Sequence, residues 1–561
     1  MSINFQNGFQ VYDQQFTGKL VIPESVMLIG RDAFANQNFS GTFEVPKNIS
    51  IVPNGIVSGE GVTEVIIHQD VVEIGSSFPA WVKRVVCYAK TPPRGTGLVD
   101  SQFFTQTVKG VVEVPETALV KYQQDATWGA YIPSVYRDFK VDKEQLYALN
   151  GKFSKKTIVR AQSEMGWEIT HKPDWVTVTP SRGTGKTEIT ITIDELTKGA
   201  GNRVDSLVFK PIAYDYQKVV KIDQFDYKYG NGDVITNQTA TVGNGVNIVF
   251  MGDCFDAKDI AEGYYEETMN EAIEYFFAVE PYTTYRDYFN VYTVIGHSPD
   301  SGLPTTYSVN QESIFGSQYA GDATGWNFKF DDSKCFEYAC FAPTVVKENL
   351  DKTLIVLIEN SDVYGGEAWM YGTNHSIAVV PNGDDFRGTL QHEACGHGFG
   401  KLGDEYIYSS EYIDRCNNER CDGHTAEFLR AYNRGWYQNL SLSSNIYEVP
   451  WSHMIFDPQF QSYVDMYEGG FFHQRGVFRS EPNSCMDRNI AYFSAISREA
   501  IVKRIMEYAG EEYSFEKFKA KDNPRVGNMA TRSSMLLDIM PQVNISHNNP
   551  VVIEDAPELN F

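Results

Sequence analysis

Six consecutive residues, His392, Glu393, Ala394, Cys395, Gly396 and His397, concentrate more chemistry than any other stretch of the chain. Imidazoles are good zinc ligands, and a carboxylate beside one of them can take a proton from a metal-activated water. On a regular helix, residues i and i+4 lie about 40° apart around the axis, so two imidazoles at that spacing reach one ion. Here the two histidines stand five residues apart, which on a regular helix turns them about 140° from one another. A single-turn π-bulge takes up the extra residue, and such bulges are frequent at functional sites. Gly396 suits the distortion because it has no β-carbon. The spacing therefore predicts a bulge over residues 394–396, with His392 and His397 as metal ligands and Glu393 as the catalytic general base.

A tetrahedral zinc site needs a third protein ligand. His397 is followed by Gly400 and then by Asp404, in GHGFGKLGDEY. A glycine after a helix lets the chain reverse and return a ligand to the metal, and an aspartate oxygen suits zinc. Asp404 is the expected third ligand; Glu405 could replace it as a neighbour, and His424, His453 or His473 from a distance. Weaker signals surround this core. Met486, in RGVFRSEPNSCMDR, could form a methionine-bearing turn under the site or simply pack. GGEAWMYGTNHSIAVVP (365–381) could be an edge strand that pairs with an extended peptide, or an ordinary edge strand. Cys395 is expected to pack the helix, Tyr406 either to stabilise an oxyanion or to pack, and CNNERCDGH (416–424) is a weak second metal signal.

The elements that must position these residues are legible in outline. GVNIVFMGDCF (245–255), YFNVYTVIG and TLIVLIEN (353–360) have the continuous apolar character of buried strands, and 257–277 has apolar residues at helical spacing. Upstream, VIPESVMLIG, EVPKNISIVP and IIHQDVVEIG recur at spacings of 23 and 22 residues, a period that fits one strand per solenoid turn. They resemble the leucine-rich repeats of bacterial surface antigens. From Gly166, apolar and polar residues alternate on both sides of a glycine-rich turn, the pattern of antiparallel strands in a sandwich. With Trp167 and Trp175, this stretch resembles the BACON domain, which implies a spacer or a glycan- or mucin-binding role.

At 561 residues the chain exceeds what one core supports. Three domains are expected: a leucine-rich-repeat β-solenoid over 1–142, an immunoglobulin-like β-sandwich over 143–220, and an α/β (α+β) zincin metallopeptidase domain over 221–561. A balance of 48 Lys+Arg against 73 Asp+Glu gives a net charge of -25, which repels phosphate backbones and argues against nucleic acid as a partner. No stretch approaches the roughly 20 apolar residues of a membrane span. The first residues show neither a basic n-region nor an apolar h-region, so no signal peptide is visible. Eight cysteines are too sparse for a disulfide scaffold, although Cys335 with Cys340 and Cys416 with Cys421 could each close a loop disulfide or stay as thiols.

Taken together, NIVFMGD, YRDYFNVYTVIGHSPDSG, HEACGHGFGKLGDEY, FRSEPNSCMDR and SREAIVKRI resemble the IgA peptidase family of bacterial metallopeptidases over about residues 222–515. The resemblance implies a zincin fold, a zinc cofactor, peptide-bond hydrolysis of extracellular proteins or glycoproteins, and a location outside the cell or on its surface. It matches His392 and His397 to the ligand histidines, Glu393 to the base and Asp404 to the acidic residue after the glycine. The extra residue between the histidines departs from the plain H-E-x-x-H of related families. The competing expectation is an adhesin or glycan-binding protein with an inactive zincin domain, against which the intact Glu393 stands; a cytosolic aminopeptidase is a third, weaker one.

Overall fold

A computed structural model of the chain describes residues 2–3, 17–18, 20–23, 26–30, 33–34, 38–53, 61–75, 82–96, 111–131, 133–135, 139–161, 165–212, 217–305, 308, 311–320, 328–413, 423–524, 551–553, 555–557 and 559. They fall into two units. The first lies within Met1–Leu146, Ser154–Asp194 and Val204–Ile222, and the second within Tyr147–Phe153, Glu195–Arg203 and Asp223–Phe561.

In the first unit, the described short strands up to residue 135 recur in chain order, and their described pairings are parallel. Asn38–Glu44, Gly61–Ile67, Arg84–Cys87 and Val111–Val114 are successive neighbours in a six-stranded sheet. A second parallel row is formed by Ile51–Val52, Glu73–Gly75 and Arg94–Thr96. The three stretches Asn38–Val52, Gly61–Gly75 and Arg84–Thr96 thus each contribute one strand to each row, and the buried Val52, Val65, Ile67, Ile74, Val85 and Val114 share one apolar interior. Beyond it stand two sheets of four and five strands, whose described pairings are antiparallel. Trp167, Ile191, Leu207 and Phe209 are fully buried there, and the rings of Trp167 and Phe209 lie 6.0 Å apart. The period-two alternation of Thr187–Ile193, with every second residue inward, is what one buried face per sheet requires.

The second unit is built on a seven-stranded sheet. In chain order its strands are β1 (Val234–Gln238), β2 (Val246–Asp253), β3 (Phe289–Val294), β4 (Leu354–Glu359), β5 (Glu367–Tyr371), β6 (Ser376–Pro381) and β7 (Val551–Ile553). Across the sheet they run β1-β3-β2-β4-β6-β5-β7. The four central strands are parallel to one another, and β5 is antiparallel to β6. Every residue of β2, β3, β4 and β6 is buried, as expected of parallel strands covered on both faces. Helices Tyr264–Phe277 (α1) and Ala495–Ala509 (α2) and the helical segment through His392 cover one face in a core that includes Phe276, Tyr282, Leu390, Met486 and Ile501.

The helix expected over 257–277 is two, Ala257–Ala261 and Tyr264–Phe277, because Gly263 between them has φ +91°. The segment 365–381 is a hairpin rather than one strand, turning at Asn374 with φ +76°. Nor is it a free edge, since β7 pairs with the outer side of β5. Cys335 and Cys340 are free thiols, while Cys416 and Cys421 lie outside the described residues. Among the described residues no helix is long and apolar enough to cross a membrane.

Candidate metal centre

The chain leaves β6 into the short helix Phe386–Leu390 and runs directly into a π-helix, Gln391–Phe399. The widening is thus not confined to residues 394–396, as the sequence suggested, but extends over nine residues. Its end keeps the wide spacing: the Gly400 N–H donates to the Cys395 carbonyl at 3.0 Å, five residues back. This winding turns His392 and His397 onto one side. Their ring centroids are 4.8 Å apart and their Nε2 atoms 3.1 Å apart.

Asp404 completes the group. Its Oδ1 lies 3.1 Å from each of the two Nε2 atoms, and all three side chains are fully buried. The outer nitrogens are anchored on carbonyls: His392 Nδ1 on Cys485 at 2.9 Å and His397 Nδ1 on Leu402 at 2.8 Å. A carbonyl only accepts, so each Nδ1 carries the proton and each neutral ring turns the Nε2 lone pair inward. Two imidazole lone pairs and a carboxylate oxygen then converge within 3.1 Å, an arrangement that repels itself unless a cation or a proton lies among them. Ligands held tetrahedrally by zinc at about 2.0–2.1 Å stand about 3.3 Å apart, so the residues present fit that ion.

The electrostatics agree. Burial alone would depress His392, but the hydrogen bond its protonated ring donates to Asp404 and the charges of Glu393 and Asp404 outweigh it and raise its pKa to about 9. Burial likewise opposes ionisation of Asp404, yet His397 and His392 hold its carboxyl below the ordinary range. Burial raises the Glu393 carboxyl, with His392 and His397 pulling the other way. Both Glu393 oxygens and Asp404 Oδ2 are buried, and among the described residues only the Ala368 N–H and, beside the two imidazoles, the Tyr406 hydroxyl act on these carboxylates, which leaves them capacity for something further.

Asp404 and Glu405 have separate tasks. The Glu405 carboxylate accepts from Asn439 Nδ2 at 2.9 Å and from the Ser484 hydroxyl at 2.7 Å, away from the histidines. Burial raises it to about 7. The reversal that returns Asp404 is made by Lys401, at φ +53°, and not by Gly400, which keeps a helical φ of -69°. The buried Lys401 Nζ, whose pKa burial pushes well below the ordinary lysine range, donates to Ser376 Oγ and stands 5.0 Å over the Trp436 ring. His424 and His473 pair with each other at 2.9 Å, and His453 pairs with Glu499 at 3.1 Å. Tyr406 stacks on His392 with centroids 6.3 Å apart, and the Cys395 thiol points at the Phe276 carbonyl.

Ser484, Cys485 and Met486 form the floor. Ser484 holds Glu405, the Cys485 carbonyl holds His392, and the Met486 carbonyl accepts the Glu405 N–H at 2.8 Å. Met486 was visible in the sequence as a candidate. The Cys485 and Leu402 carbonyls were not, because a backbone acceptor leaves no mark on residue type. Asn439, which brackets Gly403 through both its N–H and its C=O at 2.9 and 2.8 Å, sits in a stretch with no motif. A second buried group, Asp253, Cys254 and Glu359, also brings ligand atoms together. Its Asp253 carboxylate is already satisfied by the N–H groups of Cys254, Ile314, Phe315 and Ser317 and by the Ser298 hydroxyl, so it clamps a loop.

Residues 235–457 match the family model described as IgA Peptidase M64. The matched stretch contains His392, Glu393, His397 and Asp404 and supports a peptidase; it stops short of Met486. No curated protein matches the chain. Among solved structures, a Bacteroides ovatus GH5 xyloglucanase in complex with a XXXG heptasaccharide is 14% identical, with a TM-score of 0.16, over 39% of this chain and 46% of that one. The Vibrio cholerae VesB protease is 11% identical, with a TM-score of 0.13, over 16% and 31%. The periplasmic chaperone SfaE is 14% identical, with a TM-score of 0.13, over 16% and 56%. The chain spans less than two thirds of each of these structures, and similarity this low carries no argument.

Proposed function

We propose that this protein is a zinc-dependent endopeptidase, with His392, His397 and Asp404 as the metal ligands and Glu393 as the general base. The observation that supports it best is the convergence of three buried acceptor atoms within 3.1 Å of one another, next to the fully buried carboxylate of Glu393. The family match over residues 235–457 supports peptide bonds as the target.

Zinc in this set would polarise the scissile carbonyl and bring the pKa of a water toward neutrality. The chain supplies the rest. Glu393, raised by burial, takes the proton of the attacking water on a carboxylate oxygen and delivers it to the leaving amine. Cys485 and Leu402 fix the tautomer of each imidazole, so that neither ring turns its protonated nitrogen inward. The water-excluding walls, with Tyr406 against His392, strengthen each of these interactions.

In the same reading the substrates are extracellular proteins or glycoproteins, and the protein works outside a bacterial cell or on its surface. The N-terminal turns act as leucine-rich repeats, and with the BACON-like sandwich they hold the glycoprotein. Support for this part is the sequence resemblance and the one-strand-per-turn recurrence.

Metal analysis together with proteolysis of unfolded casein tests the reading. Wild type should bind one zinc and cleave. Glu393→Ala should keep the zinc and lose roughly 100- to 10,000-fold in rate. Undiminished cleavage by that variant would remove Glu393 from the mechanism. A zinc-loaded wild type that cuts nothing would favour a binding protein instead.

A further inference from the structure

β5 is the strand beside the base. Gly366, just before it, has no room for a side chain: a β-carbon there would stand 2.6 Å from Thr389 Cγ2 and 2.8 Å from Glu393 Cγ. A peptide brought to Glu393 in extended form would therefore lie along β5 and take up its main-chain groups. One side of β5 is already occupied by β6, with Glu367 opposite Val379 and Met370 opposite Ser376. The other side is occupied by the chain's own β7, with Trp369 opposite Val551, Met370 opposite Val552 and Tyr371 opposite Ile553. The Gly372 N–H adds a bond of 2.5 Å to the Ile553 carbonyl.

We propose that Val551–Ile553 is an internal occupant of the peptide-docking edge of β5, so that the chain at rest blocks its own substrate strand. The inference rests on the peptidase reading above. Three features favour an occupant that leaves over a permanent strand. β7 has only three residues, so few bonds hold it. It runs parallel to β5, and parallel pairing is slightly weaker per residue than the antiparallel pairing open to an incoming peptide. Its side chains nevertheless imitate a bound peptide. Val551 packs on one side with Trp369 and Tyr371, and Val552 on the other with Met370 and Tyr406. Past β7, Ala556 and Leu559 rest on the same core as Val551, and the Leu559 carbonyl accepts from Lys347 Nζ at 3.1 Å. These contacts keep the segment at hand after release.

A reversible lock in the full-length protein tests this. Met370 and Val552 lie directly opposite, so Met370→Cys with Val552→Cys can form a disulfide across the two strands. Cleavage of fluorescein-labelled unfolded casein should fall at least tenfold on oxidation and return on reduction, with neither single variant responding. Val551→Ser with Ile553→Ser, which loosens β7 without a crosslink, should raise kcat/KM several-fold. Equal rates for the oxidised and reduced lock would overturn the proposal. If the wild type and the reduced lock cut nothing, the peptidase reading is what has failed. A readout without turnover completes the test: casein peptide added to Glu393→Ala should speed amide exchange at residues 551–553. Bound peptide with unchanged exchange there would also overturn the proposal.

Discussion

A β-carbon on Gly396 would stand 2.3 Å from the Met486 sulfur and 3.0 Å from its methyl. The glycine between the two histidines is thus required by packing, and its φ lies outside the left-handed region. It lets the floor segment press against the inside of the π-helix, and that same segment holds His392 through Cys485. Gly396→Ala should destabilise the fold by roughly 1–3 kcal/mol, the usual range for overpacking, and should weaken zinc binding. Denaturant titrations of Gly396→Ala, Met486→Ala and the double variant would show whether the second change recovers part of the loss. Strict additivity would mean that the contact is not the cause.

Removing the metal should make stability depend on pH in one direction. The His392 pKa stands at about 9, above the ordinary 6.5, because Asp404 and Glu393 favour the protonated ring. Without metal, that proton takes the cation's place. Its stabilisation is complete below pH 6.5 and is lost as pH rises toward about 9, amounting to about 3 kcal/mol at 1.4 kcal/mol per unit. Thermal melts of chelator-treated protein should therefore fall steadily in Tm across that window, while zinc-loaded protein stays nearly flat. A flat metal-free profile would show that the three acceptors hold no shared proton.

Asn439 is expected to matter more than its setting suggests. It bonds Gly403 on both sides and also holds Glu405, so it fixes the turn from which Asp404 projects. Asn439→Ala leaves buried polar groups unpaired, at about 1–3 kcal/mol. Because Asn439 supports the proposed ligand Asp404, its loss should lower zinc affinity by roughly 10- to 100-fold. Competition with a chromogenic chelator measures this; unchanged affinity would separate the turn from the site.

The sequence by itself determined which groups are chemically suited to the proposed site. Ligand chemistry is a property of residue type, so His392, Glu393, His397 and Asp404 stood out before any fold was known. The five-residue spacing even implied a widened helix, because a regular one would turn the histidines apart. The buried strands of the central sheet were legible for a similar reason: continuous apolar runs have little choice but to be covered on both faces.

Only the tertiary structure decided the rest. The π-helix runs from Gln391 to Phe399 instead of 394–396, with its two rings tethered to carbonyls at Cys485 and Leu402 that no local pattern predicts. The choice between Asp404 and Glu405, adjacent and chemically alike, fell to partners 34 and 79 residues away from Glu405, which draw that carboxylate aside. The hairpin strand beside Glu393 could be read as a strand but not as a covered one, since its outer neighbour, Val551–Ile553, lies far downstream in sequence. Residue type fixes what a group can do. Which groups meet is set by backbone hydrogen bonds and packing between segments far apart in sequence.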